Sequence, residues 1–361
     1  MRWFFKGLKE VKTQKLLAKA KSLAEYQRLA LKLDILTKKE YWRRDAKSPH
    51  YNYVLIGERL KELREHNRSG DILELCFILR QGLFRNLGNL ADPILYEQAL
   101  GGTKYLIDDY VREVTTILNY LCNHQFDVFP EEEKYIFFKE TLQSFGRSAL
   151  LFSGGASLGM FHLGVARALW KSKMLPHIFS GSSSGSLMAA MLGTRTDREL
   201  ESLFNLEGIE IRPWRWLHLR EISKKKVLFD TSNLEIEIRR LMGDITFAEA
   251  FRKTGRVINI TVSPTDKVNQ ARLLNYLTTP NLMVWSGCMA SCALPGLFPP
   301  VVMMAKSFKG ELVPYMHGLK WQDGSLQSDL PMRRLSELYN VNHFVVSQIN
   351  PHIVPFLNAN K

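Results

Sequence analysis

Ile178-Phe-Ser-Gly-Ser-Ser-Ser-Gly-Ser-Leu-Met-Ala-Ala-Met191 is the stretch that decides how the rest of the chain is read. An apolar pair enters, Gly181-Ser182-Ser183-Ser184-Gly185 turns, and a helix-forming run leaves. This is a G-x-S-x-G pattern between an expected strand and an expected helix, where the middle serine sits on a sharp turn with its hydroxyl exposed. Ser183 is therefore the candidate nucleophile. Gly181 and Gly185 flank it because a Cβ at either place would collide with the adjoining strand and helix. The alternative is a solvated Gly/Ser linker, but a linker is not bracketed this tightly by apolar runs. Alone, the pattern speaks for serine hydrolase chemistry and names no substrate.

A serine nucleophile needs donors for the developing oxyanion and a base for its proton. Upstream, Ala149-Leu-Leu-Phe152 leads into Ser153-Gly-Gly-Ala-Ser-Leu-Gly159 and a helix around residues 160–171. Successive backbone N–H groups of Gly154, Gly155 and Ala156 can converge on one concavity at a helix start, an arrangement suited to an anion. The loop lacks the G-x-G-x-x-G spacing, and no G-x-x-x-x-G-K-[ST] occurs, so an oxyanion loop is favoured over a nucleotide cradle; a plain strand-to-helix turn is the other reading. For the base two arrangements stay open. A Ser–acid–His order would use Asp323 with His343 or His352. In the other, Asp323 lies at a strand end and Gly324 lets the chain turn, so that the carboxylate meets Ser183 directly as a Ser–Asp dyad. By itself Asp323-Gly324 reads as a hairpin turn.

The 361-residue chain is long enough for two domains, and its hydrophobic (45%) and charged (24%) contents are those of a folded protein. Its net charge of +13 is uneven: residues 1–50 hold 14 Lys/Arg against 5 Asp/Glu, an excess of nine. Such a local excess suits an anionic surface. No nucleic-acid motif accompanies it, so a membrane surface is expected and nucleic acid is not. Four scattered cysteines make no disulfide framework, and Cys288 and Cys292 read as core thiols rather than metal ligands. The first residues lack the apolar run of a signal peptide, and no unbroken apolar stretch reaches membrane-spanning length. An intracellular, soluble or peripheral protein is expected.

Residues 1–145 read as a helical region without a catalytic constellation. Its helices are expected at 52–67, 71–81 and 103–122, and its first 40 residues suit either a lipid interface or a surface helix. From Ser148 short apolar strands (149–152, 178–180, 257–262, 273–276, 343–348) alternate with helices (160–171, 185–192, 281–292, 331–339), which implies a parallel sheet covered on both faces. Pro213-Trp-Arg-Trp-Leu-His-Leu-Arg220 with Lys224-Lys-Lys226 reads as a lid, an interfacial anchor or a packed insertion. Residues 294–304 are apolar enough to line an acyl channel or simply to pack.

Taken in order, Gly154-Gly-Ala-Ser-Leu-Gly159, Gly181-Ser-Ser-Ser-Gly185 and Asp323-Gly-Ser325 resemble the three blocks of the patatin-like phospholipase family. Ser48-Pro-His-Tyr-Asn-Tyr-Val54, Arg85-Asn-Leu-Gly88, Cys292-Ala-Leu-Pro-Gly296 with Phe298-Pro-Pro300, and Asn342–Gln348 with Asn350-Pro-His352 narrow the resemblance to its intracellular triacylglycerol lipases. It implies a three-layer α/β/α sandwich with a mainly parallel central sheet over residues 146–355, preceded by a helical domain over 1–145. It implies Ser183 as nucleophile, Asp323 as proton acceptor, and Gly154, Gly155 and Ala156 as oxyanion donors. Ala-Ser-Leu in the glycine-rich loop and Asp-Gly-Ser at the base depart from many members but match the lipase subgroup.

The resemblance thus implies a neutral-glycerolipid acyl hydrolase, peripheral on a lipid droplet or endoplasmic reticulum membrane, with no metal or organic cofactor. Phospholipase A or lysophospholipid acyltransferase activity on the same dyad, and a non-catalytic lipid-surface protein, are the alternatives. His66 and Asp71 match the H-x4-D spacing of glycerolipid acyltransferases, but Asn67-Arg-Ser-Gly70 between them reads as an interhelical turn.

Overall fold

The computed structural model describes residues 2–205, 215–216, 229–230, 232–266, 270–325 and 329–350. The chain divides into two compact units, Met1–Gly146 and Arg147–Lys361.

The first unit is helical: α1 (Arg2–Leu17), α2 (Leu23–Leu36), α3 (Lys39–Arg44), α4 (Tyr53–Ser69), α5 (Ile72–Gly82), α6 (Ile94–Glu97), α7 (Tyr105–Asn123) and α8 (Glu131–Phe145). In α7 the buried Ile107, Tyr110, Val114, Ile117 and Leu121 recur every three or four residues, the spacing that puts them on one face. That face shares a core with Ile56, Leu60 and Leu63 of α4 and with Leu75, Ile78 and Leu79 of α5. A buried charge is tolerated when its hydrogen bonds are met. Asp34 accepts the N–H groups of Leu100 (3.1 Å) and Gly101 (2.7 Å). Arg43 donates to Thr103 O and Asp108, and Lys104 Nζ to the carbonyls of Trp42, Asp45 and Lys47. These groups hold the unit together rather than waiting for a ligand. Asp71 caps α5 through Glu74 N–H, and Gly70 ends α4 at φ 73°, so the H-x4-D spacing is a helix–turn–helix junction.

The second unit is built on a six-stranded sheet: β1 (Arg147–Phe152), β2 (Ile178–Gly181), β3 (Val257–Pro264), β4 (Arg272–Leu274), β5 (Trp321–Asp323) and β6 (Val341–Ser347). The order is β6-β1-β2-β3-β4, with β6, β1, β2 and β3 parallel. β4 and β5 both run antiparallel to β3, β4 along residues 260–262 and β5 along 262–264. Its helices are α9 (Met160–Lys171), α10 (Ser184–Gly193), α11 (Asp197–Asn205), α12 (Ser232–Met242), α13 (Phe247–Thr254), α14 (Val284–Ser291) and α15 (Met332–Tyr339). Alternation along β1 makes the layers. Leu150 and Phe152 join a large core with residues of α10, α12 and α14, while Ala149 and Leu151 join a second core with Leu335 and Tyr339 of α15. The sheet is covered on both faces, as the near-continuous burial of β3 requires.

The expected helix at 281–292 is shorter, Val284–Ser291, and the last strand begins two residues earlier than expected, at Val341. Of the 213–226 segment only 215–216 are described, and His352 also lies outside the described residues.

Candidate active site

The parallel strands end at one edge, where ligands of open α/β sheets are usually held. There β2 turns into α10 through Ser183, whose backbone has φ 51° and ψ −125°. A non-glycine residue there is strained and persists only when its surroundings force it. The surroundings do so. A Cβ on Gly181 would fall on the Gly185 carbonyl, and one on Gly185 would fall on the Phe152 carbonyl, so only glycines let strand and helix approach this closely. Ser183 N–H donates to Ser291 Oγ (2.9 Å), and Ser291 Oγ–H donates to Thr261 O (2.8 Å), tying the turn to α14 and β3. Ser186 Oγ–H and Cys292 Sγ–H both donate to Ser183 O. Both cysteines are the core thiols expected: Cys288 is fully buried, and Cys292, half-buried beneath the turn, packs against the same core, with burial pushing its pKa well up.

Asp323 arrives on β5, which pairs with β3 just beyond the end of β2. It is the last residue of β5, opposite Val262, and its N–H donates to Ala293 O (3.0 Å). Gly324 follows because a Cβ there would stand 2.5 Å from the Thr261 carbonyl carbon. The carboxyl is 1% exposed, and burial raises its pKa above the ordinary carboxylate range. The Ser325 N–H, the Ser183 hydroxyl and the Ser325 hydroxyl oppose that rise by favouring the charged form. Oδ1 accepts Ser325 N–H at 2.8 Å. Oδ2 is buried with no well-formed hydrogen bond among the described residues, so the Ser183 hydroxyl stabilises the carboxylate without being locked to it. The Ser183 hydroxyl and the Asp323 carboxylate thus meet in one place from positions 140 residues apart in sequence.

The glycine-rich loop lies beside them: a Cβ on Gly154 would stand 3.4 Å from the Cβ atoms of both Ser183 and Ser325. Ala156 has φ 49°, a second strained non-glycine residue at the same edge. The three expected donors are not equivalent. Gly154 N–H is committed to Asp329 Oδ1 (2.9 Å), whereas the N–H groups of Gly155 and Ala156 have no acceptor among the described residues. Asp329 also accepts from Asn350 through Oδ2 and from Ser182 Oγ–H through its backbone carbonyl. Sequence reasoning missed Asp329 and Ser291, since neither belongs to a recognisable spacing.

Histidines are placed otherwise. His343 faces Ser148 Oγ at the amino end of β6 (3.1 Å), four residues or about 13 Å of strand away from the carboxyl edge. His162 is buried near the loop, but its Nδ1 meets Ser347 Oγ (2.7 Å) and its Nε2 meets Ser153 O (3.0 Å). Burial lowers its pKa, and both ring nitrogens are engaged away from Ser183. Among the described residues no His/Cys/Asp/Glu group could hold a metal ion.

The sequence profile of the patatin-like phospholipases matches residues 150–335, and that of a domain of unknown function (DUF3336) matches residues 3–143. The chain is 38% identical to triacylglycerol lipase SDP1L of Arabidopsis thaliana, over 93% of this chain and 47% of that protein. It is 36% identical to triacylglycerol lipase 4 of Saccharomyces cerevisiae, over 94% of this chain and 38% of that protein. This chain therefore spans half or less of the length of these curated relatives. A solved structure, VipD from Legionella pneumophila, is 13% identical with a TM-score of 0.35 over 56% of this chain and 50% of that one, too distant to argue from. With a family profile covering more than half of its length, the chain belongs to the patatin-like phospholipase family.

Proposed function

We propose that this chain hydrolyses acyl esters of neutral glycerolipids, as a triacylglycerol lipase, with Ser183 as nucleophile and Asp323 as its base. The observation that carries the reading is the meeting of a strained, partly accessible serine with a buried carboxylate whose second oxygen has no well-formed hydrogen bond among the described residues. Ser183 Oγ attacks the ester carbon while Asp323 Oδ2 takes its proton. The oxyanion is received by the N–H groups of Gly155 and Ala156, beside the amino end of α10; Gly154 shapes the loop through Asp329 instead. Collapse breaks the C–O bond, and the proton passes to the departing diacylglycerol oxygen. Water then gives a proton to Asp323 and attacks the acyl carbon, releasing fatty acid and restoring the Ser183 hydroxyl.

Two relatives bear the name triacylglycerol lipase, which supports a triacylglycerol over other esters. The family's description as phospholipases favours a second reading, phospholipid acyl hydrolysis or acyl transfer on the same dyad. Triolein and phosphatidylcholine emulsions assayed side by side separate the two. Ser183→Ala and Asp323→Asn should each stay folded and lose turnover of both lipids, and Ser183→Ala should lose fluorophosphonate labelling. Activity that survives both changes rejects the dyad. A Ser–His–Asp triad built on His343 or His352 is tested by replacing each in turn: His343→Ala and His352→Ala with undiminished turnover remove it.

The same reading places the protein peripherally on a membrane or droplet surface. Among the described residues no helix is long and apolar enough to cross a membrane. In α1 and α2 Val11, Leu16, Leu23 and Ile35 are exposed among lysines, a composition suited to an anionic lipid interface.

A further inference from the structure

The glycine-rich loop runs directly into α9, and the outward face of that helix is unusual. A surface helix ordinarily turns charged residues to solvent. Here His162 and Ala166 are buried, while Phe161, Gly164, Val165 and Ala168 form the outward stripe at three- and four-residue spacing. Phe161 is 67% exposed, and Met160 and Leu158 beside it are exposed too. Leu158 lies two residues beyond Ala156, so this apolar surface begins at the rim of the candidate site.

Charge decides between kinds of partner. From Ser153 to His177 there is no Asp or Glu, and Arg167, Lys171 and Lys173 are all exposed. They follow the apolar end of the helix, and the exposed Met174 comes after them. Exposed apolar side chains flanked by long basic ones are the pattern of a segment lying in a lipid interface, with rings and thioethers among acyl chains and ammonium groups among phosphates.

We infer that the outward face of α9 is a docking surface for an anionic glycerolipid interface, seating the mouth of the Ser183–Asp323 site on the layer that holds its ester. The inference rests on the acyl-hydrolase reading for its purpose, though not for its readout. Insertion of Leu158, Met160, Phe161 and Val165 brings the oxyanion loop to acyl-ester depth, and Arg167, Lys171 and Lys173 hold the helix flat on the headgroups. An ester reaches Ser183 without first leaving the lipid.

The test is flotation of the full chain with phosphatidylcholine vesicles containing about 30% phosphatidylserine, an anionic content in which basic side chains contribute measurably. Phe161→Glu with Val165→Glu should lower the vesicle partition by about tenfold or more, since two apolar side chains are replaced by charges of the surface's own sign. Lys171→Glu with Lys173→Glu should lower it on the anionic vesicles and much less on pure phosphatidylcholine. All these side chains are exposed, so both variants should melt like the parent and turn over soluble p-nitrophenyl butyrate within about twofold of it. Undiminished partition of the Phe161/Val165 variant, or equal loss of soluble-ester turnover, overturns the inference. So does release of self-association with vesicle binding intact, which would assign the face to a second copy. If partition falls as stated but the parent hydrolyses no ester, the docking surface stands and the lipase reading fails.

Discussion

Ser183 and Asp323, the proposed nucleophile and base, are held by opposite means. The serine is held by its backbone, in a strained conformation fixed through Ser291, Ser186 and Cys292; the carboxylate is held by burial against three opposing hydrogen-bond donors. A raised carboxyl pKa means that Asp323 takes up its proton at higher pH than a free aspartate, so turnover falls earlier on acidification. Ser325→Ala removes a hydroxyl that favours the charged form, and the acid limb of kcat/KM should move to higher pH with the alkaline side unchanged. A limb that stays put or moves down would exclude Asp323 as the group that titrates. Asp329 acts one step removed, through Gly154. Asp329→Ala should lower kcat by about ten- to a hundredfold at nearly constant KM, the usual cost of a slightly misplaced catalytic loop, and Asp329→Asn, which keeps an oxygen for Gly154 N–H, should recover most of it. Equal losses in both would deny that role. Asp323-Gly324 alone reads as a hairpin turn and stands out only through the family resemblance, whereas the turn from Gly181 through Ser183 to Gly185 was legible in the sequence because glycines forced by close contact leave a spacing. Asp329 and Ser291 left none, because a single hydrogen bond to a backbone N–H imposes no local pattern.

At the scale of elements, Asp323, the proposed base, reaches the site on a three-residue strand joined to the end of β3 and bridged on its other side to Val301. Gly324 keeps that approach open. Gly324→Ala should cost about 1–3 kcal/mol, because the added methyl meets the β3 backbone rather than a movable side chain, and turnover should fall further than stability does. Thermal melting and a soluble-ester assay on one preparation check both. The parallel strands and their helices were readable because buried strands are continuous apolar runs between helical periods. The antiparallel β5 carries no such run: Trp321-Gln322-Asp323 is too short for alternation to show, and its pairing with distant segments, β3 and Val301, makes it a strand.

At the scale of the molecule, the uneven charge is the feature that composition disclosed and the helices arrange. Lys12, Lys15 and Lys19 are exposed on and just after α1. Reversing all three to Glu should weaken binding to anionic vesicles most at low ionic strength, where screening is least, with soluble-ester turnover unchanged. Binding that ignores both salt and charge reversal would remove electrostatics from the attachment. The helical character of the first unit was legible from periodicity; its buried Asp34, Arg43 and Lys104 were not, since their partners are backbone groups about 60 residues away. The shortness of β5 has one more consequence. Ser183 follows a strand in the middle of the sheet, whereas Asp323 ends a strand of only three residues, so a local opening of β5 parts the proposed pair and leaves the rest of the fold standing. Heat should then silence this protein before it melts it: turnover midpoints below the circular-dichroism midpoint, restored on prompt cooling, would reveal the meeting of Ser183 and Asp323 as its first joint to open.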